Sequence, residues 1–270
     1  TGSSSSGGRS MRRGCWRSDG RIRRRCRGRL CTAGEQSLAV FKYGRAIGQH
    51  MAIKMNAPLS NRKLMEVMLR AYEPCRYFGQ CQQAIFKPSN GHIPRGYLGA
   101  IGELEEVEVV FVFAEPGHPH SDEKDSRHNN SPMQLLRNAL NHTYQCFKKG
   151  TDAFHRNTRC IMNQLWPDKS FDQQLRHVWL TESRLCSIDD EIGNVADRTC
   201  AHAYLRRQLE LMPQATVIAF GGKAQRNLKK IIPNFIKAYA LAPPGANFQG
   251  ARPSWEKAIA TVRELRFLRS

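Results

Sequence analysis

Four short segments of the chain carry the residues best suited to bind and act on a ligand. Each follows a stretch with the pattern of a buried strand, at positions 114–118, 181–183, 221–222 and 242–245. Because ligands of open parallel sheets bind outside the carboxyl ends of the strands, these segments predict one shared site. They supply the carboxylates of Glu115 and Glu182 and the imidazole of His118, which are groups capable of acid–base chemistry. Their glycines would let a ligand approach the backbone, although Gly and Pro also mark ordinary turns.

Four of the nine cysteines are ordered along the chain in a way that would suit metal ligands. Cys75 and Cys81 precede the first strand, whereas Cys186 and Cys200 follow the second. Four thiolates in this order can hold a [4Fe–4S] cluster or a tetrahedral Zn²⁺. Cysteines are also common as small buried apolar residues. Spacing alone therefore does not decide between a metal cluster, a zinc site and cysteines packed in the core.

The elements that must position these residues alternate along the chain. Continuous β-branched and aromatic runs predict strands over 107–113, 177–181, 215–220 and 236–241. Helical periodicity predicts helices over 61–72, 132–149, 196–212, 222–232 and 253–267. Such alternation is typical of βαβ units with right-handed crossovers. We therefore expect an α/β fold over residues 51–270, a single three-layer α/β/α domain with a four-stranded parallel sheet.

The charge of the chain divides between a tail and this domain. The sequence has 42 Lys and Arg against 23 Asp and Glu, a net charge of +19. Residues 1–50 contribute +10 of it and show no apolar period, so we predict a disordered basic tail. The tail suits an electrostatic arm, a transit peptide, or an appended or read-through segment ahead of a start at Met51 or Met55. The remaining +9 suits contact with a DNA backbone.

Membrane and secreted classes are disfavoured. The chain has no uninterrupted apolar run of 18 residues, which argues against a spanning helix and a membrane partner. Its cysteines are scattered through a long chain without a signal peptide. We expect a reducing compartment, the cytoplasm.

The strand ends resemble motifs of the uracil-DNA glycosylase superfamily, particularly its iron–sulfur bacterial branches. Residues 113–117, Phe-Ala-Glu-Pro-Gly, fit the frame of the first family motif, and His118 occupies the place of a histidine found in one branch. Thr181 and Glu182, followed by Cys186, match the second strand end, and 242–244, Ala-Pro-Pro, match the second motif. The chain departs at Phe113, Glu182 and Ala242, where the family has Gly, Asn and His. The resemblance covers roughly residues 70–265.

This resemblance implies a DNA glycosylase of base-excision repair, which flips a deaminated base such as uracil out of DNA and hydrolyses its N-glycosidic bond. Glu115 would stabilise positive charge on the sugar and position water, and His118 would donate to the departing base. Glu182 would read the base edge. The substrate pocket would further include Ala114, Pro116, Gly117, Ala242 and Pro243.

The same resemblance implies how DNA and a cofactor are held. DNA would be contacted by Lys223, Pro244, Gly245, Asn247 and Arg252, with backbone N–H groups near Gly245 binding phosphate. The cysteines at 75, 81, 186 and 200 would hold a [4Fe–4S] cluster, or a structural zinc, that staples the fold. The expected partner is DNA with a damaged base, bound by a monomer in the bacterial cytoplasm at the nucleoid.

Two other functions remain open. A metal-dependent phosphoesterase or nuclease would use an acidic and histidine-rich loop of six residues, namely His118, His120, Asp122, Glu123, Asp125 and His128. A non-catalytic nucleic-acid-binding protein would need only the basic charge. Glu115 separates the last function from catalysis, because a binding module has no need of a carboxylate beside the sugar.

Overall fold

The computed structural model of the protein describes residues 57–73, 75–81, 84–119, 123, 131–187 and 199–269. The predicted basic tail, 1–50, lies outside the described residues. Within them, strands β1 (Leu98–Gly99), β2 (Val109–Phe113), β3 (Val178–Glu182), β4 (Thr216–Phe220) and β5 (Ile236–Ala238) form one sheet. All five residues of β2 and all five of β3 are buried, as expected for β-branched and aromatic runs in a covered sheet.

The sheet has the order β1-β3-β2-β4-β5. Strand β2 pairs in parallel with β3 and β4, and β4 pairs in parallel with β5. The two-residue β1 pairs antiparallel with β3. The α/β class is thus confirmed, but the sheet is five-stranded and mixed rather than four-stranded and parallel. Strand β1 escaped prediction because two residues carry no periodic signal.

Seven α-helices accompany the sheet in the described residues. They are α1 (Arg62–Leu69), α2 (Pro132–Lys149), α3 (Ala153–Leu165), α4 (Phe171–His177), α5 (Arg206–Glu210), α6 (Gly222–Leu228) and α7 (Ala251–Phe267). A π-helical turn, Ala201–Leu205, leads into α5. Ser131 and Asp152 cap α2 and α3 by accepting backbone hydrogen bonds from the first turn. Among the described residues, none of the helices is long and apolar enough to cross a bilayer.

Helices lie on both faces of the sheet. On one face, the Phe113 ring packs edge-on against Phe154 of α3, with centroids 4.8 Å apart. On the other face, Trp179 Nε1 and Thr181 Oγ1 both donate to Gln208 Oε1 of α5 at 2.8 Å. Because the register pairs Phe113 with Glu182, the Glu182 side chain shares the face of α3.

Candidate functional site

A cavity of about 390 Å³ opens at the carboxyl ends of β2 and β3. It brings together most of the predicted catalytic and substrate residues, namely Ala114, Glu115, Pro116, Gly117, His118, Glu182 and Ala242. Of the predicted pocket residues, only Pro243 does not line this cavity; it is exposed beside it. Three of the four predicted strand ends therefore meet at this cavity, whereas Gly221 and Gly222 do not line it.

The Glu115 carboxylate is held by an ion pair inside the site. Its Oε1 lies 2.5 Å from Lys223 Nζ, and the two side chains are 13% and 18% exposed. Lys223 enters from the first turn of α6, directly after β4. The lysine expected to contact DNA phosphate thus contacts the proposed catalytic carboxylate and fixes its orientation.

Hydrogen bonds from the loop after β3 hold the loop that carries Glu115. The Ser183 hydroxyl donates to the Ala114 carbonyl at 2.8 Å, and the Ser187 hydroxyl donates to the Gly117 carbonyl at 3.1 Å. The Asn227 amide of α6 donates to the Ser183 hydroxyl at 2.8 Å. The loop after β3, itself held by α6, therefore fixes the backbone around Glu115, which is the preorganisation that catalytic groups need.

Glu182 is a buried carboxyl at the cavity wall. Its side chain is 4% exposed, and its Oε2 has no hydrogen-bond partner among the described residues. Burial, and then the charge of Glu115, raise the pKa of Glu182 well above its usual range, whereas Arg95 opposes the shift. The carboxyl approaches the backbone of Gly96, where an added Cβ would lie 2.7 Å from Glu182 Cγ and Oε1. The cavity thus contains a carboxylate in an ion pair next to a carboxyl that burial drives toward the neutral acid.

His118 lies at the exposed rim of the cavity. Its ring meets the ring of His92 edge-on, with centroids 5.7 Å apart. The position allows contact with a ligand that enters from solvent.

The cavity also contains residues that the sequence did not indicate. Phe113 and Phe220 of the strands and Phe147 and Phe154 of the helices give it aromatic walls. Asp152 caps α3 and lies 2.9 Å from His155 Nδ1. Although burial favours its neutral form, the His155 hydrogen bonds lower the pKa of Asp152 to about 2.

A second group missed by the sequence centres on His142 of α2. Its Nε2 lies 2.9 Å from Glu123 Oε1 and 3.2 Å from Cys146 Sγ. Burial disfavours the imidazolium, yet hydrogen bonds to Cys146 and Glu123 raise the pKa of His142 to about 9. Glu123 also lies 3.6 Å from Arg95 Nε. A capping pattern before α3 and the i, i+4 spacing of His142 and Cys146 were visible in the sequence, but neither indicated the cavity.

Of the six residues of the metal-binding alternative, only His118 and Glu123 lie within the described residues. Glu123 is engaged with His142 and Arg95. His120, Asp122, Asp125 and His128 lie outside the described residues. In the described part of the chain, no group of three or more His, Cys, Asp or Glu side chains is arranged to hold a metal ion.

Two backbone donors of the loop after β5 are used within the loop itself. The Ala246 N–H donates to the Ala242 carbonyl at 2.9 Å, and the Asn247 N–H donates to the Pro244 carbonyl at 3.0 Å, around a 3₁₀ turn at Gly245–Asn247. Phosphate binding by other N–H groups near Gly245 stays a prediction. Pro244, Asn247 and Arg252 do expose their side chains.

Two glycines let the segments after β4 and β5 meet beside the cavity. An added Cβ at Gly221 would lie 3.1 Å from Ala240 Cβ, and one at Gly245 would lie 2.9 Å from it. Gly221 also has a φ of +89°, which favours glycine. Ala240 lines the cavity, so these contacts set one side of it.

The four predicted ligand cysteines line a second, smaller cavity. Cys75, Cys81, Cys186 and Cys200 surround it together with Tyr204 and Arg184. Burial, followed by the charges of Cys81 and Cys75, raises the pKa of Cys186 to about 12. Burial likewise raises the pKa of Cys200, whose sulfur accepts the Leu185 N–H at 3.3 Å. Burial thus favours the protonated thiols of Cys186 and Cys200, and a metal that binds them would remove this penalty.

The four cysteines line one cavity, but no group of three or more His, Cys, Asp or Glu side chains within the described residues is placed to hold a metal ion.

No protein-family model matches the chain, and no curated protein matches it. The function is therefore inferred from the site itself.

Proposed function

We propose that the protein is a DNA glycosylase that removes a deaminated base, such as uracil or hypoxanthine, by hydrolysing its N-glycosidic bond. The observation that carries the proposal is the pairing, in one aromatic-walled cavity, of the Glu115 carboxylate with the buried Glu182 carboxyl. A volume of about 390 Å³ falls within the usual range of small-ligand sites. Aromatic rings and a few fixed polar groups are the usual means of holding a flipped base.

Glu115 would act on the sugar. As the C–N bond breaks, positive charge develops on the sugar and negative charge on the base. A carboxylate beside the sugar stabilises the first charge and can accept a proton from the attacking water. Lys223 keeps this carboxylate in place, and the hydrogen bonds from Ser183 and Ser187 fix its loop.

Glu182 and His118 would act on the base. A neutral carboxyl donates one hydrogen bond and accepts another, so Glu182 can pair with an N–H beside a C=O, as an amide side chain would. This edge occurs in uracil and in hypoxanthine. His118, at the rim, would donate to the oxygen of the departing base and stabilise charge that grows in the transition state.

The cysteine cavity would hold a [4Fe–4S] cluster through Cys75, Cys81, Cys186 and Cys200. When bound, the cluster would supply binding energy that ties together the segments before β1 and after β3. The reaction on DNA would need only the residues of the larger cavity.

The test is a base-release panel on oligonucleotides that each carry one uracil, hypoxanthine or xanthine. Wild-type protein should leave alkali-labile abasic sites with at least one of them. Glu115→Gln should lower the single-turnover rate by about 10²–10⁴, the usual contribution of a positioned acid–base group. The matched control is Glu210→Gln at an exposed glutamate of α5, which should retain the full rate.

Two results would contradict the proposal. One is the absence of base release from every substrate, and the other is equal release by wild type and Glu115→Gln. Metal-dependent strand scission without an abasic intermediate would instead support a nuclease.

A further inference from the structure

Two exposed aromatic rings lie on the chain segment that also supplies Ala240 and Ala242 to the cavity, and they have no role in the function proposed above. Tyr239 is 47% exposed and Phe248 is 63% exposed. Their ring centroids lie 6.2 Å apart, and the ring planes are inclined by 32°. The two residues flank Ala240 and Ala242, which line the cavity, along the chain. Single exposed apolar residues are common on proteins, but a pair of large rings on a segment that also lines a binding cavity indicates a contact surface.

The backbone under both rings is fixed. The Tyr239 N–H donates to Ser254 Oγ at 2.9 Å, and the Tyr239 carbonyl accepts from Trp255 Nε1 at 2.9 Å. The Phe248 carbonyl accepts the Ala251 N–H at 3.0 Å, at the start of α7. Rings held in this way lose little conformational freedom when a ligand covers them, which favours binding.

The stretch of chain that carries the ring pair is strongly basic. Residues 222–257 contain seven Lys and Arg and one acid, a net charge of +6. Residues 51–270 together carry +9, so the rest of this part of the chain is close to neutral. Lys237, two residues before Tyr239, and Arg252, four residues after Phe248, are both exposed. The exposed rings and this basic stretch of chain therefore favour an anionic ligand that has aromatic faces.

We propose that Tyr239 and Phe248 form a stacking platform for an unpaired nucleobase of single-stranded DNA, next to the nucleotide held in the cavity. The inference rests on the proposed function, since it defines the form of the DNA substrate. Aromatic side chains within a basic surface are the general means of binding single strands. A duplex hides the faces of its bases in its own stack, so the platform selects a single strand.

Binding of an undamaged oligothymidylate to the full chain, followed by fluorescence anisotropy, tests the platform without any base release. Stacking contributes about 1–3 kcal/mol per base, so Phe248→Ala should weaken binding about fivefold to hundredfold. Phe248→Trp should restore it. The matched control is Phe267→Ala, which removes a more exposed phenylalanine at the end of α7 and should leave the affinity unchanged.

The salt dependence separates stacking from charge. Phe248→Ala should keep the slope of log affinity against log salt, because it removes no phosphate contact. Lys237→Met should reduce that slope by about 1. A duplex of the same length should bind wild type and Phe248→Ala equally.

Three outcomes would overturn the inference. In the first, Phe248→Ala binds the single strand as tightly as wild type does. In the second, Phe248→Ala loses as much affinity for duplex DNA as for the single strand. In the third, Phe248→Ala loses self-association but binds DNA unchanged. Because the oligothymidylate carries no substrate base, a failure here leaves the glycosylase proposal standing. Conversely, Phe248-dependent binding without base release would refute the glycosylase and retain the platform.

Discussion

Replacing Gly96 by alanine tests the geometry of the Glu182 carboxyl directly. Gly96 has a φ of +87°, and an added Cβ would lie 2.7 Å from Glu182 Cγ. The backbone conformation alone costs a non-glycine residue about 1–2 kcal/mol. Crowding of a buried, 4% exposed side chain adds about 1–3 kcal/mol, because the carboxyl can move only into the cavity. We expect Gly96→Ala to lower the free energy of unfolding by about 2–5 kcal/mol.

A double-mutant cycle isolates the contact. In a Glu182→Ala background the crowding disappears, so Gly96→Ala should cost only the backbone term of about 1–2 kcal/mol. Urea unfolding of the four proteins measures both values. Gly150→Ala serves as the control: its φ is +65° and its close neighbour is the flexible Arg156 side chain, so its cost should not depend on residue 182. Equal costs of Gly96→Ala in both backgrounds would refute the described contact.

Three further predictions concern titration and the cysteines. Since burial raises the pKa of Glu182 above its usual 4.5, the contribution of Glu182 to the free energy of unfolding is complete below pH 4.5 and is lost as the pH rises. Glu182→Gln should flatten this decline when the free energy of unfolding is measured in urea. An unchanged pH slope would refute the raised pKa of Glu182. Asp152→Ala should cost about 1 kcal/mol at pH 7 through loss of the helix cap. Burial raises the pKa of Asp152, but the stronger combined effect of the His155 hydrogen bonds lowers it to about 2. The stability difference between wild type and Asp152→Ala should therefore persist on acidification and vanish only between about pH 3.8 and 2. A loss of this difference already at pH 5 would exclude His155 as the cause of the lowered pKa. Cys186→Ser should abolish bound iron and acid-labile sulfide in anaerobically purified protein, whereas Cys146→Ser should retain both; equal metal content in the two variants would rule out the cysteine cavity as the cluster site.

Strand positions were the most predictable feature, since long apolar runs have few alternatives in a buried sheet. Strand β2 occupies five of the seven residues predicted for it, and β4 five of six. The last strand was predicted to reach residue 241, but it ends at Ala238. Its continuation leaves the ladder where Ala240 meets Gly221 and Gly245, a tertiary contact with no local signal.

Helix prediction depended on apolar periodicity. Helix α2 was predicted at its observed bounds, but α3 and α4 were missed. The interior of α3 is interrupted by Asn157, Thr158 and Arg159, although Asp152 gave a capping signal before it. The helix predicted over 196–212 is shorter in the described residues, where a π-helical turn leads into α5.

Half of the candidate site followed from the rule that ligands bind at strand ends. That rule predicted from the sequence that Glu115, His118 and Glu182 share one site. It could not include His142 or His155, because these residues lie within helices and only packing decides which helix face meets the cavity. Nor could it pair Lys223 with Glu115, since the two are 108 residues apart in the chain.

One short stretch of chain serves both cavities. Glu182 forms the wall of the larger cavity, Ser183 and Ser187 hold the loop of Glu115, and Cys186 lines the sulfur cavity. Any substitution that loosens Cys186 therefore also disturbs the groups proposed to act on DNA. Loss of base release in a cysteine variant would be no proof that sulfur or iron takes part in the reaction, because misplacement of a carboxylate four residues away accounts for the same loss.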